Sequence, residues 1–164
     1  MKALSVVIPY SPGPFFEKTL LSLKESALVE RIVIISQKPV HFKMPKCHFL
    51  VAGPISSYET LHLILDEIQT KYLLLMPEIK QISIEPKAID RYLKEAEATK
   101  ACLVYSDFYD DEDNEKNFHP LNDYQPGSVR DDFDFGSLTL FSVSAVRKAL
   151  KKYGVVSGVK FAGL

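Results

Sequence analysis

The chain has 164 residues, of which 46% are hydrophobic and 25% charged, and a formal net charge of −1. This is the size and balance of one globular domain with its own core. The near-neutral charge argues against a broad nucleic-acid or anionic-membrane surface. No apolar run approaches the roughly 20 residues that cross a bilayer, and no secretory pattern opens the sequence. We therefore expect a cytoplasmic protein with no nucleic-acid partner and no transmembrane segment.

The opening residues predict a buried strand, a tight loop and an amphipathic helix. Residues 4–8 are short, uncharged and rich in β-branched side chains, which is typical of a strand buried on both faces. Pro9 ends the strand, and Pro14 suits the first position of a helix. The predicted inward face of that helix consists of Phe16, Leu20, Leu23 and Ala27. Ligands of parallel sheets bind in the loop that leaves the strand, which here carries Tyr10 and Ser11.

The rest of the chain continues this alternation. Further strands are predicted at 31–36, 47–52, 71–76, 101–106 and 136–142. Helices are predicted from Ser56, from Pro86 to about Thr99, and from Ser144. Strands that alternate with helices indicate an α/β fold with a mostly parallel central sheet flanked by helices, in a single domain over residues 1–164. Right-handed crossovers then place the loops after the parallel strands along one edge of the sheet.

Two features leave alternatives open. Ser56 and Glu59 have capping-box spacing, which predicts that Ser56 caps a helix, although Ser56 and Ser57 could instead accept a phosphate at that helix end. Tyr10 and Tyr58 suit either stacking on a base or closing a seam between helix and sheet.

Both cysteines, Cys47 and Cys102, lie in apolar runs without metal-ligand spacing, and we predict that they are reduced core residues.

The segment 107–134 is acidic and aromatic, and it is predicted to be a long irregular connection. It contains two pairs of carboxylates spaced one residue apart, at 111–113 and 132–134, and Asp107 could join the first pair. Clustered carboxylate oxygens suit a divalent metal ion. The alternative is a solvated acidic loop.

Several segments, taken in order, resemble family 2 glycosyltransferases of the GT-A fold. Residues 4–10 (Leu-Ser-Val-Val-Ile-Pro-Tyr) are similar to that family's SVVIP.YN strand, and residues 30–36 (Glu-Arg-Ile-Val-Ile-Ile-Ser) to its eiivVDD strand. Residues 71–76 with the later Pro86 resemble the geyi.fLDaDD…P segment, and residues 103–107 resemble lvysd. The resemblance covers nearly the whole chain. It implies the nucleotide-diphospho-sugar transferase-like, Rossmann-like architecture of that fold.

The same resemblance implies a function. Family 2 enzymes bind a nucleotide-diphosphate sugar and transfer the sugar to a glycan or another acceptor, as in polysaccharide biosynthesis. The implied nucleotide-binding residues are Pro9, Tyr10, Ser11, Ser36, Gln37 and Ser57. At the end of the second strand the family usually has an aspartate that pairs with the base, and this sequence has the neutral Ser36 and Gln37 instead.

The family's metal motif and catalytic base differ from what this sequence contains. A DxD motif holds Mn²⁺ or Mg²⁺ in the family, whereas this sequence has Met76-Pro77-Glu78 at that place. Glu78 is then the carboxylate that remains on the metal side, and Asp107 is the candidate carboxylate of a displaced metal site. The catalytic base is expected beyond Leu164, and the apolar ending predicts a native chain that continues. Residues 1–164 alone are accordingly expected to be inactive.

Two rival interpretations have different consequences. The first is a degenerate, non-catalytic member of the same fold that serves as a binding or scaffolding module. The second is a different α/β enzyme such as a nucleotidyltransferase, which would require a basic glycine-rich loop after the first strand. Residues 11–14 (Ser-Pro-Gly-Pro) contain no cation, which disfavours the second alternative.

Overall fold

The computed structural model describes residues 4–40, 43–78, 82, 84–85, 87–112, 115–125 and 133–154. The helices are α1 (Pro14–Glu25), α2 (Tyr58–Glu67), α3 (Ala88–Thr99) and α4 (Val143–Tyr153). The strands are β1 (Leu4–Pro9), β2 (Val29–Ser36), β3 (Cys47–Val51), β4 (Tyr72–Leu75), β5 (Leu103–Val104), β6 (Phe108–Glu112), β7 (Glu115–His119) and β8 (Thr139–Ser142). Within these ranges, no helix is long and apolar enough to span a bilayer.

Six strands form one sheet in the order β3-β2-β1-β4-β8-β5. Strands β3, β2, β1 and β4 run parallel, and β8 runs antiparallel to both β4 and β5. Val6 of β1 lies between Ile32 of β2 and Leu74 of β4, so the opening strand is central. The prediction of an α/β fold with a mostly parallel sheet is confirmed.

The central strands are apolar on both faces because helices cover both sides of the sheet. One core cluster packs α1 and α3 against alternate residues of the strands, among them Leu4, Val6 and Ile34. The other packs α2 and α4 against the opposite face, which includes Val7, Val33 and Leu75. Successive side chains of a strand point to opposite faces of the sheet, so alternate residues of the central strands belong to the two different core clusters.

Two predicted strands are shorter than expected by three or more residues. The strand predicted at 101–106 is reduced to β5, and the strand predicted at 136–142 begins at Thr139. Strand β5 pairs with β8 through Leu103 and Val104. Beyond this pair, the backbone of the second segment turns at Gly136, which has a φ of 77° that a strand does not adopt.

The segment predicted to be irregular contains a β-hairpin. Strands β6 and β7 pair antiparallel, with Phe108 opposite His119 and Tyr109 opposite Phe118. The rings of Phe108 and His119 stack at a centroid distance of 5.0 Å. Tyr109 and Phe118 are 63% and 51% exposed, so this hairpin lacks the apolar-in, polar-out alternation from which a strand is predicted.

The prediction that both cysteines are core residues is wrong for Cys102, whereas Cys47 packs against one of the two core clusters. Cys102 is exposed, and Cys47 is half-buried because it lies on the edge strand β3, which is covered less completely than the central strands. Both are free thiols. Burial raises the pKa of the Cys47 thiol above its ordinary value, and the nearby Lys24 ammonium acts in the opposite direction.

Cationic side chains hold the carboxyl ends of two helices. Lys46 donates through Nζ to the carbonyl oxygens of Lys24 (2.9 Å) and Ser26 (2.8 Å) at the end of α1. Arg147 donates to the carbonyl oxygens of Leu65 (2.7 Å) and Ile68 (3.2 Å) at the end of α2. Carbonyl groups at a helix end lack intrahelical partners and carry partial negative charge, so cations stabilise them.

A buried pair of hydroxyl groups joins β1 to the loop before β4 and offers a test of the packing. Thr70 Oγ1 lies 2.9 Å from Ser5 Oγ, and Ser5 is fully buried. We expect Thr70→Val to lower the free energy of unfolding by about 1–3 kcal/mol, because Ser5 then loses a partner without access to water. The double variant Ser5→Ala/Thr70→Val should lose less than the sum of the two single variants. Urea unfolding of the four proteins measures this coupling, and strict additivity would contradict it.

Candidate functional site

A groove opens at the edge of the sheet where β1, β2 and β3 end. Its cavity volume is about 620 Å³, within the range of small-molecule sites. The groove is lined by Pro9, Tyr10, Ile35, Ser36, Gln37, Lys38, Pro39, Val40, Gly53, Pro54 and Ile55. Carboxyl ends of parallel strands are the usual place for ligands in α/β sheets, so this groove is the candidate site.

The loop after β1 forms one wall. The backbone N–H of Tyr10 donates to the carbonyl oxygen of Ile35 at 2.6 Å, which holds the loop against β2. The Tyr10 ring packs edge-on against Phe16 (centroids 5.3 Å apart) and Phe49 (6.0 Å). The Tyr10 ring therefore packs in the seam between α1 and the sheet, which is the second of the two alternatives given for it. The same residue also lines the groove.

The end of β2 forms the rim. Ser36 is 8% exposed, and its Oγ donates to the carbonyl oxygen of Lys38 (2.7 Å) and accepts from the N–H of Lys38 (3.3 Å). The carbonyl oxygen of Ser36 accepts from the N–H of Ala52 at 3.0 Å. The Ser36 hydroxyl thus stabilises the turn, and Gln37 and Lys38 are the exposed polar side chains of the rim.

The prediction that Ser56 caps the second helix is wrong by one residue. Ser57 is the N-cap of α2, and its Oγ accepts from the N–H of Thr60 at 3.2 Å and donates to Thr60 Oγ1 at 2.9 Å. Thr60 occupies the third helical position, where the buried side chain completes the cap in place of Glu59. Tyr58 packs edge-on against His62 at 4.5 Å, so this ring has a packing partner.

The predicted nucleotide-binding residues divide into two groups. Pro9, Tyr10, Ser36 and Gln37 lie together along the groove, whereas Ser11 and Ser57 are outside its lining. Residues at the ends of three neighbouring strands meet there because β3 lies next to β2, and β2 next to β1.

The two predicted metal-side carboxylates lie outside the groove lining. Glu78 follows β4 and is exposed. Asp107 Oδ1 accepts from the N–H of Leu121 at 2.7 Å, so this carboxylate closes the base of the β6–β7 hairpin. In the described part of the chain, no group of three or more His, Cys, Asp or Glu residues could hold a metal ion. The carboxylate pairs predicted at 111–113 and 132–134 include residues outside the described ranges.

A hard divalent cation takes several oxygen ligands, most of them from carboxylates. The described carboxylates of Glu78 and Asp107 do not form such a set, so the described residues do not fit the implied Mn²⁺ or Mg²⁺.

Sequence reasoning missed Lys38 and the wall formed by Gly53, Pro54 and Ile55. The loop after the second predicted strand is rich in lysine, and Gly53-Pro54 follows the third predicted strand. Both signals were visible in the sequence. The loop after β2 and the loop after β3 lie side by side because β3 is the edge strand next to β2. The sequence does not indicate this order of strands.

No protein-family model matches the chain, and no curated protein sequence is similar to it. Solved structures are similar in fold. A 4-diphosphocytidyl-2C-methyl-D-erythritol synthase from Anaerococcus prevotii has a TM-score of 0.58 and 11% identity over 93% of this chain and 75% of that chain. A 2-C-methyl-D-erythritol 4-phosphate cytidylyltransferase from Thermus thermophilus has a TM-score of 0.53 and 13% identity over 96% and 80%. The chain therefore has the nucleotide-diphospho-sugar transferase-like fold.

Proposed function

We propose that this domain binds a nucleotide-diphosphate sugar in the groove and serves the transfer of the sugar to a glycan or another acceptor. The observation that carries the proposal is the meeting of four predicted nucleotide-binding residues, Pro9, Tyr10, Ser36 and Gln37, along one groove of suitable size. The nucleotide-diphospho-sugar transferase-like fold supports the same class of ligand. The acceptor and the transfer step rest on the sequence resemblance alone.

The groove has the chemistry to hold a nucleoside. Pro9, Ile35, Pro54 and Ile55 are apolar walls, against which the flat face of a base can be removed from water. The exposed amide of Gln37 has both a donor and an acceptor, so it can pair with the edge of a base. We propose Gln37 for this contact because the Ser36 hydroxyl is already engaged in the turn.

Calorimetric titration with UDP, GDP and CDP tests the proposal. We expect saturable binding and a preference for one base, with Gln37→Ala weakening binding by about 5- to 10-fold through the loss of one or two hydrogen bonds. Gln69→Ala is the matched control, since Gln69 is also exposed but lies before β4, outside the groove lining. Failure of a folded sample to bind any of the three nucleotides would contradict the proposal.

Two other functions remain in competition. Nucleotidyl transfer is favoured by the names of both similar structures, which are a cytidylyltransferase and a diphosphocytidyl-compound synthase. Nucleotidyl transfer predicts tight binding of CTP, and release of pyrophosphate when a sugar phosphate is supplied as the second substrate. A non-catalytic binding module is favoured by the poor fit of the described residues to a metal ion. It predicts nucleotide binding without turnover, also in the presence of Mn²⁺ and added acceptors.

A further inference from the structure

We infer that Lys38 is the phosphate-binding cation of the groove, and that a nucleotide phosphate binds there without a divalent metal ion. This inference rests on the proposed function and adds to it the source of the positive charge. The sequence resemblance implies that a divalent metal ion holds the phosphates, but the described residues do not fit such an ion. The inference names the residue that would supply the positive charge instead.

The first argument is the charge of the groove. Among its described lining residues, Lys38 is charged and every other residue is neutral. A cationic rim favours an anionic ligand, whereas a divalent cation would find no carboxylate ligand in this lining. A phosphate that leaves water requires compensating charge and hydrogen bonds, and an ammonium group provides both.

The second argument is the fixed position of Lys38. Its backbone N–H and its carbonyl oxygen both hydrogen-bond to the Oγ of Ser36, at 3.3 Å and 2.7 Å. Ser36 is in turn paired with Ala52 of the chain leaving β3, and Pro39 follows directly. The Lys38 side chain therefore starts from a backbone that is already ordered, which lowers the entropic cost of holding it against a ligand.

The test compares each nucleoside diphosphate with its own nucleoside, titrated into the full chain in EDTA. We expect the wild type to bind the diphosphate without metal, and binding to weaken as salt is raised. Lys38→Met should weaken diphosphate binding by about 10-fold or more and leave nucleoside binding unchanged, since a charge-assisted contact is lost. Lys38→Arg should retain most of the affinity.

Lys43→Met is the matched control. Lys43 is an exposed lysine of the same connection between β2 and β3, and it is outside the groove lining. The Lys43→Met variant loses the same charge as Lys38→Met, but away from the groove. Its affinity for the diphosphate should therefore stay within about 2-fold of the wild type. Ser36→Ala tests the positioning role, and the loss of the two hydrogen bonds that order the turn should lower diphosphate affinity by about 3-fold.

The outcomes separate the two proposals. Unchanged diphosphate affinity in Lys38→Met, or wild-type binding that is lost in EDTA and restored by Mn²⁺, would overturn the inference while nucleotide binding in the groove stands. Equal losses in Lys38→Met and Lys43→Met would also overturn it, because the effect would then be one of general charge. A wild-type chain that binds no nucleotide overturns the proposed function and the inference together.

Discussion

Replacement of Leu74 by alanine is expected to lower the free energy of unfolding by about 3–5 kcal/mol, measured by urea denaturation. Leu74 is fully buried on β4, opposite Val6 of β1 on one side and Leu140 of β8 on the other. Neighbouring strands hydrogen-bond on both sides, so they cannot move inward to fill the space. The substitution therefore loses both the burial of the side chain and the contacts of the atoms that lined it.

The matched control is Leu63→Ala, the same chemical change on the outer face of α2, where Leu63 is 43% exposed. We expect a loss of less than about 1 kcal/mol there, because little apolar surface leaves water at this position. A natural domain has only about 5–15 kcal/mol of stability in total, so the Leu74 variant should be partly unfolded at mild urea concentrations. Similar midpoints for the two variants would contradict the assignment of Leu74 to the centre of the core.

Gly136→Val is expected to lower the free energy of unfolding by about 2–4 kcal/mol. Gly136 has a φ of 77°, a conformation that β-branched residues rarely adopt. A Cβ atom at this position would also lie 3.1 Å and 3.2 Å from two ring atoms of Phe108. Both costs arise together because Phe108 is held by its stack on His119 and cannot retreat without disturbing the β6–β7 hairpin.

Gly53→Ala is the control for this prediction. Gly53 has no positive φ, and its added Cβ would make ordinary contacts with Thr60 Oγ1 at 3.5 Å and Ser57 Oγ at 3.8 Å. We expect a change in the free energy of unfolding within about 1 kcal/mol, because alanine fits these contacts and reduces the freedom of the unfolded chain. Limited proteolysis should show faster cleavage at 108–119 in Gly136→Val only. Unaltered cleavage there, with unaltered stability, would contradict the described packing of Phe108 on Gly136.

Elements in which apolar residues repeat regularly were predictable, because the residues that form the repeat are the ones that are buried in the structure. The inward residues of α3, Ile89, Tyr92, Leu93 and Ala96, are the four buried residues of that helix. Ala27 is different: it was predicted to continue the inward face of α1, but the helix ends at Glu25 and Ala27 is exposed. A repeat of apolar residues indicates a face but does not indicate where the backbone leaves the helix.

The candidate site was predictable only in part. Pro9, Tyr10, Ser36 and Gln37 follow strands that the sequence indicates clearly, so their common edge could be predicted from the handedness of crossovers. Lys38 was not selected, because a lysine in a lysine-rich loop has no local feature that separates it from Lys43. The separation comes from the hydrogen bonds of Ser36, which hold Lys38 at the rim of the groove.

By itself, the sequence determined the α/β class, the parallel central strands and the edge of the sheet to which the loops after these strands belong, because each depends on hydrophobic runs and on the residues that end them. The tertiary structure decided which loops meet there, that β8 enters the sheet antiparallel beside β4, and that β6 and β7 of the acidic segment pair as a hairpin. The first two of these features depend on pairings between residues far apart in the chain. Such pairings leave no period in the local sequence, and only the folded sheet brings the partners together.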